Sequence, residues 1–196
     1  PSLWNDLGMA YYEKRKYNKA ITCYGYAIKC NPKNANYQKN MGDVCKKKND
    51  LSIAFKHYTK ASALGWEDAN AWNELADAYV IAKDYDWAIK SYKNSLKIDN
   101  NIPFTWESLG KAYFYNKNLD KAFESYATAA SSGRKNAEVW EELGTAYSKQ
   151  GKSNEAERCN REAKKCNQNV EQQKNEKAKD ILQPRPKRNL LRLQGI

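Results

Sequence analysis

The fold of this chain is decided by the stretch WNDLGMAYYEKRKYNKA, residues 4–20. It places a tryptophan, a Leu-Gly pair, three tyrosines and two alanines within seventeen residues, although 29% of the 196 residues are charged. The same residue types return at a fixed interval. Trp72, Trp106 and Trp140 are spaced by 34 residues, and Trp4 lies twice that distance before Trp72. A fixed period of this length is the signature of a repeat protein.

The other slots of the pattern recur in the same register. An apolar residue precedes a small one at Gly8, Gly42, Ala76, Gly110 and Gly144. Sixteen residues after the small residue comes a tyrosine, at Tyr24, Tyr58, Tyr92 and Tyr126, with Asn160 in the fifth unit. Gln38 replaces the tryptophan of the second unit. Five units without a gap therefore cover residues 1–34, 35–68, 69–102, 103–136 and 137–170.

Helical geometry supports the same division. At about 100° per residue, Trp4, Leu7 and Tyr11 share one stripe of a helix, and Ala20 and Tyr24 share a stripe of the next. Scarce Gly and Pro (9 and 5) favour helix over sheet. Each unit is predicted to be an antiparallel helix pair of about 13 residues per helix. A lone pair cannot bury its ring-bearing stripe, so neighbouring units are expected to stack.

The pattern of Trp, Leu-Gly, Tyr, Ala, aromatic, Ala and Pro resembles the tetratricopeptide repeat (TPR) family. Repeat 1 carries nearly all of it, in Trp4, Leu7, Gly8, Tyr11, Ala20, Tyr24, Ala27 and Pro32. The departures are Gln38, Cys45, Asn160 and the lack of proline after repeats 2 to 5. The resemblance implies an all-α fold, an α-solenoid in which antiparallel helix pairs form a right-handed superhelix.

The resemblance also implies a concave groove, lined by the first helix of each repeat, that binds a peptide or helix of a partner protein. The residues predicted to line it here are Met9, Tyr12, Lys39, Asn73, Asp77, Val80, Ile81, Phe104, Lys111, Phe114 and Tyr115. The apolar members of repeats 3 and 4 predict an apolar binding patch, because exposed apolar clusters usually mark a contact surface. The alternative, that some of them pack against the next repeat or under a loop, stays open. Amides of Asn5 and Asn73 are weaker candidates for holding a peptide backbone.

The residue types and motifs present in the sequence argue against an enzyme. His57 is the single histidine, and no GxxxxGK[ST], GxGxxG, HExxH or GxSxG motif occurs. Cys23 and Cys30, like Cys159 and Cys166, are seven residues apart, about 10 Å along a helix, which is beyond disulfide reach and is not a metal-ligand spacing. We therefore expect no catalysis, no cofactor and no metal. An odd number of cysteines without a CxxC motif favours a reducing compartment, and a cytoplasmic location is the corresponding expectation.

The C-terminal part of the chain differs from the repeats. Residues 171–183 are predicted to form a polar capping helix, and Pro184 and Pro186 end it. Residues 184–196 are predicted to be a basic tail or a linker to a further domain. Three interpretations stay open for the segment NLLRLQGI: the start of a further domain, a segment that docks on a repeat array, or an anchor to an anionic surface.

The alternative functions follow from charge and from the chain's first repeat. The formal net charge is +11, and the tail carries Arg185, Lys187, Arg188 and Arg192, which could contact nucleic acid or an anionic membrane. This alternative is less favoured, because four basic residues are few and the repeats lack exposed aromatics interleaved with Lys and Arg. Self-association, through an uncovered apolar face of the first repeat or through the C-terminal tail, is a third alternative.

Overall fold

The computed structural model describes residues 1–182, with side chains described for residues 1–169, 171 and 172. Across residues 1–182 the chain is all-α, as predicted, and its helices are α1 Ser2–Glu13, α2 Tyr17–Cys30, α3 Ala35–Lys47, α4 Leu51–Ala63, α5 Ala69–Ile81, α6 Tyr85–Ile98, α7 Pro103–Tyr115, α8 Leu119–Ser131, α9 Ala137–Lys149 and α10 Ser153–Leu182. The predicted basic tail, residues 184–196, lies outside the described residues.

The chain divides into two compact units, residues 1–135 and 136–196. In the first unit, α1 to α8 form four hairpins, and consecutive hairpins stack through α2 on α3, α4 on α5 and α6 on α7. This stack of helix pairs is the predicted α-solenoid architecture. In the second unit, α9 packs on α10. Because α10 continues to Leu182 without a break, the predicted capping helix is an extension of the second helix of repeat 5.

The turn inside each hairpin has the same backbone conformation. One residue per repeat, always 34 positions from the last, has a positive φ of 56° to 73°: Arg15, Asn49, Lys83, Lys117 and Gly151. The amide that follows it donates to a carbonyl five residues back, as in Lys16 N to Tyr11 O at 2.8 Å. This is the Schellman arrangement that ends many helices. A side chain in the left-handed region costs about 1–2 kcal/mol. At the four turns without glycine, packing and hydrogen bonds therefore hold this conformation.

In the hairpins of repeats 1, 2 and 4, a tyrosine ring of the second helix lies against a glycine of the first helix. A Cβ added to Gly42 would lie 2.5 Å from the ring of Tyr58, and one added to Gly110 would lie 2.5 Å from the ring of Tyr126. Both rings are fully buried. The two helices therefore approach so closely here that the ring fits only because glycine has no side chain.

The residue at the position of Gly42 and Gly110 is not the same in every repeat. Ala76 occupies it in repeat 3 and is fully buried, so that hairpin accommodates a methyl group. In the second unit, a Cβ added to Gly144 would lie 3.2 Å from the amide oxygen of Asn160 and from the Cβ of Cys159, and the nearest atoms there are not those of a ring. The hairpin of α9 and α10 thus lacks the tyrosine contact found in repeats 1, 2 and 4.

The prediction that the tryptophan stripe is core holds for Trp72 and Trp140, each 1% exposed, but is wrong for Trp4 and Leu7 at the start of the chain. Trp4 is 41% exposed and contacts Tyr26 with ring centroids 4.8 Å apart. The physical reason is the number of neighbouring rings: Phe55, Tyr58 and Trp66 surround Trp72, whereas Tyr26 is the ring that contacts Trp4.

Alanine substitutions at three glycines test the close approach of the paired helices. Gly42→Ala and Gly110→Ala place a methyl group against a buried ring, and we expect a net loss of about 1–2 kcal/mol in the free energy of unfolding, since overpacking outweighs the helix propensity gained. Gly25→Ala is the matched control in α2, where nothing lies within 4 Å of the added Cβ. We expect that variant to gain about 0.5–1 kcal/mol. Urea denaturation followed by circular dichroism measures all three, and equal effects would contradict the proposed contact.

Candidate functional site

The candidate site is the surface formed by α1, α3, α5 and α7 on the side that carries the predicted groove residues, here called the first-helix face. Direct contacts connect neighbouring helices across it. Asn40 Nδ2 donates to Asn5 Oδ1 at 2.8 Å between α3 and α1, and Lys46 Nζ donates to Glu74 Oε2 at 2.5 Å between α3 and α5. Polar side chains of adjacent repeats are thereby fixed in one continuous surface.

Asn73 has a different role from the one predicted. It is 9% exposed, and its Nδ2 donates to Thr105 Oγ1 at 2.8 Å, so it bridges α5 and α7 in the interior. The amide of Asn5 is likewise used by Asn40. Asn73 is therefore not presented to a peptide backbone, whereas Asn5, which is half-buried, uses its amide oxygen at the junction of two repeats.

Two aspartates of the first-helix face accept hydrogen bonds from tyrosines of the second helices. Tyr58 OH donates to Asp43 Oδ1 at 2.6 Å, and Tyr92 OH donates to Asp77 Oδ1 at 2.5 Å. Each aspartate directly follows the small residue of its repeat, Gly42 or Ala76. Burial, reinforced by the neighbouring carboxylate, raises the pKa of both tyrosines well above the usual value. The hydroxyls therefore remain neutral donors that fix Asp43 and Asp77 in position.

The charged residues of the face form ion pairs. Lys39 Nζ lies 2.8 Å from Asp43 Oδ2. Glu107, which is 4% exposed, accepts from Arg134 Nε at 2.5 Å and lies 3.3 Å from Lys111 Nζ. A nearly buried carboxylate is stable only with such partners, so Glu107 fixes both cations at the surface.

A polar cavity of about 340 Å³ lies between α3 and α5 on this face. Its lining includes Tyr12, Lys39, Asp43, Lys46, Lys47, Asp68, Asn70, Ala71 and Glu74. The hydrogen bond from Lys46 lowers the pKa of the Glu74 carboxyl. The cavity therefore presents mixed, largely paired charges and is suited to polar contacts.

An apolar surface lies at one end of the face. Val80 and Ile81 belong to the last turn of α5, and Phe114 and Tyr115 belong to the last turn of α7. Ile81 is 83% exposed, and the ring of Tyr115 stacks on Tyr85 with centroids 5.5 Å apart. Since first helices of stacked hairpins run in the same direction, these turns lie at the same end. We call Val80, Ile81, Phe114 and Tyr115 the apolar end.

The remaining predicted groove residues lie apart from the apolar end. Phe104 is in the first turn of α7 and Phe114 is in the last. The separation of ten residues corresponds to about 15 Å along the helix. The guanidinium of Arg134 lies 5.1 Å from the ring centroid of Phe104. The apolar patch expected in repeats 3 and 4 is therefore divided into two separate surfaces, the apolar end and the surface around Phe104. Met9 and Tyr12 belong to α1, where Met9 is exposed and Tyr12 is half-buried.

His57 is not placed for catalysis. Its Nδ1 lies 2.8 Å from Oε1 of Gln38, the residue that replaces the second tryptophan of the repeat pattern. Burial, with a smaller contribution from Lys60, lowers the pKa of His57. The histidine and the glutamine are thus a matched polar pair in a slot that other repeats fill with an indole, a pairing that the sequence alone did not show.

The cysteines of the described part of the chain are all free thiols, and four of the five are buried. None of the five cysteines forms a disulfide, and burial raises the pKa of Cys45 and Cys159 to about 11, so their thiols are protonated and poor nucleophiles. Within the described residues no group of three His, Cys, Asp or Glu could hold a metal ion. Among the same residues, no helix combines the length and the apolarity needed to cross a bilayer.

Similarity to known proteins agrees with this geometry. Family profiles described as tetratricopeptide repeat match residues 1–34, 69–102 and 137–169, together slightly more than half of the chain. No curated protein sequence matches. The stacked hairpins define a helical-repeat protein. The chain belongs to the tetratricopeptide repeat family.

Solved structures share the fold at low sequence identity. A MamA protein structure superposes with a TM-score of 0.63 at 22% identity, covering 94% of this chain and 97% of that chain. MamA 41-end from Desulfovibrio magneticus RS-1 gives 0.57 at 14% identity, covering 86% and 95%. YrrB, described as a TPR protein with an unusual peptide-binding site, gives 0.59 at 16% identity, covering 83% and 84%. At these identities the likeness establishes the fold alone.

The lowered pKa of His57 predicts a pH dependence of stability. Because the folded protein holds this pKa below the ordinary 6.5, the unfolded chain binds the proton first as the pH falls. The contribution of His57 to the free energy of unfolding is therefore complete above pH 6.5 and decreases below it, until the folded protein is protonated too.

Urea denaturation at several pH values measures this effect in the native chain and in His57→Gln. We expect the variant to lose less stability between about pH 7 and pH 5 than the native chain, since carboxylates titrate equally in both. Parallel pH profiles of the two proteins would show that His57 is not responsible.

Proposed function

We propose that this chain is a protein-interaction module that binds a segment of a partner on the first-helix face, with the apolar end as the main contact. The observation that carries the proposal is the exposure of Ile81, 83%, beside three further apolar side chains at the ends of α5 and α7. Clustered apolar side chains at a surface usually mark an interaction site. Full burial of one isoleucine is worth about 1.5–3 kcal/mol.

The surroundings of the apolar end support a rigid recognition surface. Asp43 and Asp77 are held by tyrosine hydroxyls, and Lys39 and Lys111 are held by carboxylates. Side chains already fixed before binding lose less conformational entropy on association. We infer that these polar groups select the partner, whereas the apolar end supplies most of the affinity.

The polar cavity beside α3 and α5 supports a partner segment of mixed character. One partner segment that crosses several first helices could place an apolar side chain at the apolar end and polar groups in the cavity. YrrB, which has the same fold, is described as having a peptide-binding site, and this supports the proposal at the level of the fold only.

Charge substitution at the apolar end tests the proposal. Ile81→Asp puts a carboxylate in the middle of the apolar end, and we expect at least about a tenfold loss of affinity for the partner, as for other interface residues worth more than 1 kcal/mol. Affinity capture with the tagged chain, quantified by mass spectrometry, identifies partners whose recovery falls. Titration of the purified partner then gives the dissociation constants.

Ile53→Asp is the matched control, because Ile53 is also an exposed isoleucine but lies on α4, a second helix. It should leave capture unchanged, and both variants should keep the helical circular dichroism of the native chain. Recovery of the same partners in equal amounts with Ile81→Asp would refute the assignment of the apolar end.

A second candidate function is self-association through α1. Leu3, Trp4 and Leu7 are exposed, and Leu3 is 78% exposed. The corresponding surfaces of later repeats are covered by a neighbouring hairpin, which a second copy of the chain would imitate. The alternative of a basic adaptor depends on residues 184–196, which lie outside the described part of the chain, and it stays a prediction.

Sedimentation velocity tests the second candidate. We expect the native chain to form dimers at tens of micromolar and Leu3→Glu to shift the equilibrium to monomer, because the charge would be buried in the interface. Leu64→Glu, at an exposed leucine after α4, is the control and should sediment like the native chain. A native chain that remains monomeric over this range would exclude this mode of association.

A further inference from the structure

A groove of about 560 Å³ lies between α6 and α8, with α7 at its base. Its base is apolar and consists of Leu96, Trp106, Leu109 and Tyr113. Leu109 and Tyr113 are otherwise buried, whereas Trp106 keeps part of its ring open to the groove and donates from Nε1 to the carbonyl of Asn100 at 2.8 Å. The volume is within the usual range of ligand sites, about 300–1,000 Å³.

The corresponding space one repeat earlier is filled by an aromatic ring. Trp87 occupies the position that Lys121 has in repeat 4, and its ring stacks on Tyr79 at 6.2 Å and meets Phe55 at 4.7 Å. Trp72 in that repeat is 1% exposed. At Tyr113 the corresponding position carries Lys121 instead of an indole, so no ring of α8 covers the groove there. Repeat 1 also has a lysine at this position, Lys19, whose Nζ lies 5.5 Å from the ring centroid of Tyr11.

The rim of the groove is basic. Lys93 and Lys121 stand on opposite walls, and the Nζ atom of each lies 5.7 Å from the ring centroid of Tyr113. Lys97 adds a third ammonium group, and Glu124 is the carboxylate that lines the groove. None of the three lysines forms an ion pair with another described residue. Two surplus positive charges thus border an apolar base.

The groove is separate from the first-helix face. At 100° per residue, Trp106, Leu109 and Tyr113 lie on the side of α7 opposite to Lys111 and Phe104. The two surfaces can be occupied at the same time, so this inference does not depend on the function proposed for the first-helix face.

We propose that the groove between α6 and α8 binds an acidic segment of a partner protein that carries large apolar side chains. Leucine or aromatic residues of the segment would cover Trp106 and Tyr113, and flanking carboxylates would pair with Lys93, Lys97 and Lys121. Pairing at a partly desolvated rim adds charge selectivity to the affinity gained from the apolar base. The C-terminal segment of this chain fits poorly, because NLLRLQGI follows a run of Arg and Lys that has the same sign as the rim.

The probe for the test is a synthetic peptide with a leucine, a tryptophan and a second leucine, flanked on both sides by aspartates. A second peptide has lysine in place of every aspartate. Amide chemical shifts of the isotopically labelled full chain locate the binding site, and fluorescence anisotropy gives the affinities. We expect shifts confined to α6, α7 and α8, and binding of the acidic peptide at least tenfold tighter than that of the basic one.

Lys121→Trp is the decisive variant, because it fills the groove as Trp87 fills the one before it. We expect at least tenfold weaker binding of the acidic peptide. Ile81→Asp, on the first-helix face, should leave binding unchanged. If Lys121→Trp loses helicity, the double variant Lys93→Glu with Lys121→Glu replaces it and is expected to reverse the preference to the basic peptide.

Four results would overturn the proposal: equal binding of both peptides, shifts on the first-helix face instead of the groove, native affinity in a folded Lys121→Trp, or no reversal in the double variant. Shifts of groove residues that grow with protein concentration without peptide would also overturn it. They would identify a second copy of this chain as the occupant.

Discussion

The structure depends on one contact, in which a tyrosine ring of the second helix lies against a glycine of the first helix in repeats 1, 2 and 4. The contact sets the distance between the paired helices, since a Cβ at Gly42 or Gly110 would overlap the ring. Tyrosines at this position also reach the surface, because the hydroxyls of Tyr58 and Tyr92 hold aspartates of the first-helix face. The packing of the interior therefore determines where charged groups lie on the first-helix face.

The sequence predicted those features that repeat and missed those that depend on a single repeat. The helix pairs followed from the 34-residue period, because the same buried slots recur five times. The burial of Asn73 and the pairing of Glu107 with Arg134 did not follow, because the partners come from other helices and occur once. Trp4 was assigned to the core from its slot alone, although its exposure depends on whether another hairpin covers it.

Individual repeats differ at single positions while the fold stays the same. Gln38 and His57 form a hydrogen bond in repeat 2, where other repeats place an indole at the position of Gln38, and Trp87 covers Tyr79 in repeat 3, where repeat 4 has Lys121 beside an open groove. TPR arrays serve many functions because surface positions vary on a constant scaffold. In this chain the variation creates two surfaces of different chemistry on opposite sides of α7, one apolar with paired charges and one apolar with a basic rim.

The last hairpin has a consequence of its own. Asn160 occupies the position beside Gly144 at which a tyrosine lies against the glycine in repeats 1, 2 and 4. The α9–α10 hairpin is therefore held closed without that ring, by other buried side chains such as Trp140, Leu143 and Cys159. A larger side chain at position 144 would meet an amide and a cysteine there, so this hairpin should tolerate it differently from the hairpins in which a ring fills the space.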